Sequence, residues 1–259
     1  MEFNGVKDIS IYGTDCIVDI TRGDDGALRF ISAKEKYFEL NVDDNGMFTV
    51  RQKDRNLFYK ILLHKIEFKL VLPKWFKGRL RFRNKNGGLY VNGADFADVE
   101  LSTGNGKFDL KDIKCDSFQL KMLNGSVVAK NLAVVGNTNI KCTNGNIKIE
   151  SAATPALTIS CNNAAMSIVD VEAKKFECIT SNGAIDASGI VSDELKLETS
   201  NGKITATPLG KRDDYKLSLD TRTGVITVDG IPYKRLADVA GVKKLNAKTA
   251  NGDIDVRFF

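Results

Sequence analysis

The 259-residue sequence is poor in the residues on which most site chemistry is built. It has one histidine, His64, and the surrounding "ILLHKIEF" supplies no partner for a metal site or a proton relay. There is one tryptophan and only four prolines. The five cysteines (Cys16, Cys115, Cys142, Cys161 and Cys178) are an odd number without a CxxC pair, so packed, reduced thiols are expected, Cys142 and Cys161 side by side among them. No GxSxG elbow, phosphate-binding GxxxxGK[ST] loop or dinucleotide fingerprint is present. No run approaches the roughly eighteen apolar residues of a membrane-spanning helix. The opening "MEFNGVKDIS" has no basic region followed by an apolar stretch, so no signal peptide is read there. A cytoplasmic or a membrane- or envelope-associated location is expected, including the case of a soluble piece of a longer anchored protein.

What is plentiful is glycine, 22 residues of it, much of it following asparagine. In one register Asn-Gly pairs recur at Asn86, Asn105, Asn124, Asn144, Asn182, Asn201 and Asn251; Asn163-Ala164 and Thr223-Gly224 are variant copies. The steps along this series are 19, 19, 20, 19, 19, 19, 22 and 28 residues. Taking the Asn as position zero, apolar residues recur at −6 (Leu80, Val99, Phe118, Leu157, Phe176, Leu195), −4, +3 (Leu89, Phe108, Val127, Ile147, Ile185, Ile204), +5 and +8. Thr recurs at −2. Mostly polar residues fill the places between. Apolar–polar alternation on both sides of the Asn means strands with one buried face, and helical spacing is absent.

Two architectures fit. Asn-Gly between alternating runs is a strong signal for a type I′ hairpin, which would give an antiparallel meander. In a parallel β-solenoid, by contrast, each nineteen-residue unit is one coil and like residues stack. The apolar +8 position breaks hairpin parity, like sits on like in every column, and a long meander would leave exposed edges. These features favour an all-β, parallel β-solenoid (a single-chain β-helix) of about nine 19–22-residue coils. The Asn is then expected at a corner needing positive φ, forming a ladder of Asn86, Asn105, Asn124, Asn144, Asn163, Asn182, Asn201 and Asn251 linked by amide hydrogen bonds.

Residues 1–78 carry strand-like runs without the clean register, and are expected to form an N-terminal β-rich cap or degenerate coils; 79–259 form the repeat domain. Residues 210–216 read as a polar loop, and 232–242 as a segment with a short helical turn between Pro232 and Gly241. The tail "DIDVRFF" lies in the last coil, with Phe258 and Phe259 placed to plug its end or to form a contact.

The stretch "VLPKWFKGRLRFRNKNGGLYV", followed by tandem Thr-x-Asn-Gly-x-Ile-x-Val units, resembles the bacterial "putative adhesin" family of β-strand-repeat domains. The resemblance covers about 60–259 well and the first residues loosely. It implies a β-solenoid, a non-enzymatic role and a link to the cell envelope, and offers no catalytic residue to carry over.

Two further functions are weighed against it. A polysaccharide-acting β-helix enzyme needs carboxylates converging on one groove. Here the outward acids Asp109, Asp186 and Asp255 are separated by coils bearing Val128, Lys148 and Ser167; Asp253 with Asp255, and Asp170 with Glu172, are the remaining pairs. No catalytic residue, metal ligand or cofactor is assigned. The other function is polyanion binding. Residues 60–85 hold nine basic residues, among them Lys60, Lys65 and Lys69, against Glu67 alone. The candidate contact is Lys74, Lys77, Arg79, Arg81, Arg83 and Lys85, beside Trp75, facing an anionic lipid surface or polymer. Its simpler alternative is a solvated strand whose charge discourages edge pairing. No stacking platform points to nucleic acid. Expected partners are a protein or a polysaccharide, an anionic envelope polymer or membrane surface, and a second copy through the solenoid ends.

Overall fold

The computed structural model describes residues 1–54, 66–237 and 241–258. It divides into two compact units, Met1–Ala133 and Val134–Phe259. Both are parallel β-solenoids.

In the first unit the strands are β1 (Glu2–Phe3), β2 (Asp8–Arg22), β3 (Leu28–Ile31), β4 (Phe38–Val42), β5 (Met47–Gln52), β6 (Ile66–Leu72), β7 (Leu80–Asp95), β8 (Asp98–Cys115) and β9 (Ser117–Val134). β7 and β8 pair in parallel with Leu80 opposite Val99, Asn86 opposite Asn105 and Leu89 opposite Phe108. β2 pairs with β7 in the same way, Ile9 against Leu80, Asp15 against Asn86 and Val18 against Leu89. β2 is therefore a coil of the repeat with Asp15 at position zero. On its other side β2 pairs in parallel with both β5 and β6. Those two strands make one coil. The second coil in sequence is thus the outermost in space. Its open edge is covered by antiparallel strands, β4 on β5 and β3 on β6, with β1 on β3. Under that cover Phe30, Phe38 and Phe68 form a ring cluster with centroids 4.9–5.5 Å apart.

The second unit contains β10 (Asn137–Ala153), β11 (Ala156–Glu172), β12 (Lys175–Asn182), β13 (Ile185–Ile190), β14 (Glu194–Asn201), β15 (Ile204–Pro208), β16 (Tyr215–Thr221), β17 (Ile226–Val228), β18 (Ile231–Tyr233), β19 (Leu236–Ala237), β20 (Lys243–Asn251) and β21 (Ile254–Val256). Successive coils stack in parallel from β10 to β14–β15. The order then inverts. β20–β21, last in sequence, pairs with β14–β15 on one side and with β16–β17 on the other. The tail coil is therefore interior, not terminal as its place in sequence suggests. β16–β17 is outermost, and β19 and β18 cover it as antiparallel strands. Within 232–242, expected to hold a helical turn, the described residues include strands β18 (Ile231–Tyr233) and β19 (Leu236–Ala237) instead, because they satisfy that open edge; residues 238–240 lie outside the described residues. Their hairpin turns at Asp229-Gly230, where both residues have positive φ (49° and 80°), as a type I′ turn requires. Phe258 packs on Tyr215 with centroids 5.3 Å apart; Phe259 lies outside the described residues.

The core is the stack of −6, −4, +3 and +5 columns. Phe176, Leu195, Leu245 and Leu217 are fully buried in one column and Ile185, Ile204, Ile254 and Ile226 in another. Burying each such side chain contributes roughly 1.5–3 kcal/mol. Exposed ion pairs contribute at most about 1 kcal/mol, so the columns and not the surface charges set stability.

The corners differ from the expectation. At the Asn corner the positive φ falls on the glycine, not on the Asn: Gly125 has φ 141° and Gly183 136°. A Cβ on Gly106 would overlap the carbonyl oxygen of Gly87 in the neighbouring coil, so close backbone stacking requires glycine there. A second corner lies at +7, where Asp112, Asn131, Ser151 and Asp170 have φ between 53° and 59°. Short polar residues able to enter the left-handed region repeat at this position.

Candidate functional surface

The Asn side chains form polarised rows. In the first unit Asn124 Nδ2 donates to Asn105 Oδ1, Asn105 Nδ2 to Asn86 Oδ1, and Asn86 Nδ2 to Asp15 Oδ1, each at 2.8 Å. In the second unit Asn251 donates to Asn201, Asn201 to Asn182, Asn182 to Asn163 and Asn163 to Asn144, at 2.6–2.7 Å. Thr223 Oγ1 donates to Asn251 Oδ1 at 3.3 Å. Within each row every amide donates in the same direction, so the dipoles of that row reinforce one another. Asp15 is the acceptor of the Asn86 amide, a role sequence reasoning missed. Ile9, Ile11, Val18 and Ile20, at −6, −4, +3 and +5 from it, were the available signal.

The buried Thr column has a separate purpose. Thr199 Oγ1 donates to Gly183 O and Thr249 Oγ1 to Gly202 O, both at 3.1 Å. Thr221 Oγ1 donates to Gly252 O at 2.8 Å. Each of these three hydroxyls satisfies a corner carbonyl, which buried without a partner would be costly; Thr103, in the same column, is buried with its Oγ1 unpartnered among the described residues. Where Cys142 and Cys161 occupy the column they face each other across neighbouring coils, Cα atoms 4.6 Å apart, and are joined as a disulfide. This corrects the expectation of two packed thiols; exact register brings the pair within disulfide reach. Cys16, Cys115 and Cys178 are free and buried, and burial pushes the Cys16 and Cys115 thiols up to about 12.

The basic strip is divided by the fold. Lys74, Trp75 and Lys77 lie exposed in the connection between β6 and β7, Trp75 at 50% exposure. Arg79 is clamped to Asp8 through its backbone N–H (2.7 Å) and its guanidinium (2.8 and 3.2 Å). Burial alone would raise Asp8, but these bonds outweigh it and hold the carboxyl below its usual range. Arg81 and Arg83 reach the same carboxylate, Glu100, at 2.9 and 3.1 Å. Hydrogen bonds from these two guanidiniums lower the Glu100 pKa. Lys85, exposed, joins Lys74 and Lys77 in making no ion pair among the described residues. Lys60, Lys65 and His64 lie outside the described residues.

Asp253, Asp255 and Asp109 are each engaged by other groups. Asp253, Asp255, Lys203, Thr227 and Arg257 line an open groove of about 500 Å³ in the second unit. Asp253 Oδ1 accepts the Val225 N–H at 2.9 Å, and the Arg257 guanidinium engages Asp255 at 2.9 Å. Asp229, at the groove's rim, accepts the Phe258 N–H at 2.8 Å. Asp109 lies between Lys107 (2.9 Å) and Lys111 (3.5 Å). Among the described residues there is no group of three or more His, Cys, Asp or Glu able to hold a metal ion, and no helix long and apolar enough to cross a membrane.

Comparison with known proteins follows the fold. A "putative cell adhesion protein" from Clostridium sporogenes is 12% identical with a TM-score of 0.33, the match covering 100% of this chain and 96% of the other. A "putative adhesin" from Parabacteroides distasonis is 11% identical with a TM-score of 0.38, covering 100% and 94%. No curated protein sequence matches. The Toastrack DUF4097 family model matches twice, over residues 6–159 and 130–258. With its stacked Thr-x-Asn-Gly coils, the chain belongs to the Toastrack DUF4097 family.

Proposed function

We propose that the protein is a non-enzymatic, adhesin-like binding module that presents its polar repeat faces to a partner at the bacterial envelope, a polysaccharide or a protein. The observation that carries this reading is the state of the polar side chains. The groove acid Asp253 is bound to a backbone N–H, and Asp255 and Asp109 to Arg and Lys, while columns such as Thr158, Ser160 and Lys141 face solvent at fixed spacing along β10 and β11. A rigid array of hydroxyls, amides and amines suits a polar polymer, which offers hydrogen-bonding groups at a matching repeat. The test is binding to a panel of envelope polysaccharides and envelope proteins by biolayer interferometry, with the length of each polysaccharide measured before and after. Saturable binding without shortening, weakened by Thr158→Arg and Ser160→Arg together, is expected. Shortening of any polysaccharide overturns the non-enzymatic reading, and absence of binding across the panel overturns the binding role.

A second reading rests on the exposed lysines beside Trp75. Lys74, Lys77 and Lys85 would give a contact for anionic lipid or polymer, Arg79, Arg81 and Arg83 being already held by acids. Affinity for heparin or anionic vesicles should then fall steeply with salt and be lost on Lys74→Ser, Lys77→Ser and Lys85→Ser together. Affinity that ignores salt, or survives the triple substitution, counts against it.

A further inference from the structure

Asn-Gly is the dipeptide most prone to lose its side-chain amide, because glycine leaves its own nitrogen sterically open to attack the Asn carbonyl carbon. A chain built on this dipeptide should therefore be chemically short-lived. We infer that the amide rows protect the repeat from deamidation, and that Asn4-Gly5, which lies outside the rows as Asn45-Gly46 and Asn92-Gly93 also do, is the site at which the folded protein deamidates first.

In the reaction the deprotonated Gly nitrogen attacks Asn Cγ. The new N–Cγ bond forms, the Cγ–Nδ2 bond breaks, and the amide leaves as ammonia. Water then opens the cyclic imide at either carbonyl, giving Asp or isoaspartate. The sum is Asn plus water to an acid plus ammonia, with no change of oxidation state.

At Asn201 three hydrogen bonds oppose that step. Its Nδ2 donates to Asn182, its Oδ1 accepts from Asn251, and the Gly202 N–H donates to Asn251 O at 3.0 Å. Asn182 is held in the same way, by Asn163, by Asn201 and through the Gly183 N–H on Asn201 O at 2.9 Å. The side chain must leave its row and the glycine nitrogen its inter-coil bond before the two can meet, so the reaction waits on local opening. Of the pairs outside the rows, Asn45-Gly46 has its Gly46 N–H donating to Asp43 O at 2.9 Å, and Asn92-Gly93 lies inside β7, which is paired on both edges; Asn4-Gly5 has none of these restraints. Both residues are exposed, Gly5 has φ 70° with nothing near its Cα on the side-chain face, and no hydrogen bond holds its N–H among the described residues. The product has a structural consequence. Isoaspartate at position 4 would lengthen the backbone just after Phe3, whose ring sits 4.5 Å from that of Phe48 and so pins β1 to the outermost coil.

The experiment incubates the native full chain in mildly alkaline buffer and follows each Asn by peptide mapping, with isoaspartate-specific methyl labelling. Asn4 is expected to convert at least about tenfold faster than Asn182 or Asn201, the factor that loss of row hydrogen bonds on opening implies. Equal rates overturn the proposal. Asn182→Ala, if its far-UV circular dichroism is unchanged, should accelerate conversion at Asn201, which loses its acceptor; an unchanged rate there shows that the row is not what protects. Asn4→Gln should abolish the fast phase and leave the slow ones as they were; a fast phase that persists places the labile site elsewhere and refutes the assignment.

Discussion

The side-chain amide of Asn251 donates to Oδ1 of Asn201 at 2.7 Å across a separation of 50 residues. The coil that follows Asn201 in sequence, carrying Thr223, lies instead on the far side of Asn251 and donates to it. A terminal strand is thus threaded between two earlier coils. The first unit shows the mirror of this at its own beginning, where β2 is held between β5–β6 and β7. Each chain terminus is paired on both edges, and the coil left outermost is closed by antiparallel strands that remove an open edge.

The amide rows should contribute measurably, but less than the core. Asn182→Ala removes one donated and one accepted hydrogen bond and is expected to cost about 1–2 kcal/mol in urea unfolding. Phe176→Ala, in a fully buried column, should cost about 3–5 kcal/mol. Lys196→Ala, which breaks exposed contacts to Glu177 and Glu198, should cost less than about 1 kcal/mol. A reversed ranking would mean that surface electrostatics, not stacking, holds the coils.

The two corners make different demands. Gly106→Ala places a methyl on the Gly87 carbonyl and should shift the urea midpoint strongly. Asp112→Val forces a β-branched residue to a φ near 53° and removes the Asn131–Asp112 bond of 2.7 Å; a loss of about 2–3 kcal/mol is expected. Asp112→Gly should be far milder, because glycine adopts that φ freely.

Acid should weaken the first unit through Asp8. Its folded pKa lies below the ordinary value of 3.8. A carboxyl lowered by folding adds stability that is fully present above its unfolded pKa and is lost as pH falls through its folded one. Glu100, lowered from 4.5 by Arg81 and Arg83, acts in the same direction. Thermal unfolding between neutral pH and about pH 3 should show this loss, and Arg79→Met with Arg81→Met should flatten the acid limb. An acid limb unchanged by the double substitution would assign it to other groups.

The Cys142–Cys161 disulfide closes a loop 19 residues long, for which chain entropy implies a contribution of roughly 3 kcal/mol. Reduction should lower the unfolding midpoint, and Cys142→Ser with Cys161→Ser should make the protein insensitive to reductant. Native alkylation should leave Cys16, Cys115 and Cys178 unmodified, since they are buried and Cys16 and Cys115 are pushed up to about 12. Labelling of all five cysteines without reductant would contradict both statements.

Much of the fold was legible because a solenoid writes its register into the sequence: residues that stack are the residues that recur. The Asn spacing gave the parallel pairing of β7 with β8 and of β10 with β11 directly. Order at the termini was not legible. The steps of 22 and 28 residues read equally as longer coils, and the register of Leu245 is the same whichever neighbour it meets. The β2 coil was obscured because Asp15 replaces the Asn, although its apolar template is intact. The +7 corner was hidden by its variety, since Asp, Asn and Ser share a tolerance of left-handed backbone and not a side chain. The basic strip was read from one strand alone. Its acids, Asp8 and Glu100, come from the adjacent coils, which a linear reading cannot bring beside Arg79 and Arg81.

The most direct test of parallel stacking with an inserted last coil is a pair of cysteine cross-links on outward positions. Lys196 is register-paired with Asn246, and Asn246 with Ser218. Under mild oxidation Lys196→Cys with Asn246→Cys should form an intramolecular disulfide, whereas Lys196→Cys with Ser218→Cys should not. The opposite pattern would restore simple sequence order, and failure of both would contradict the stacked coils themselves.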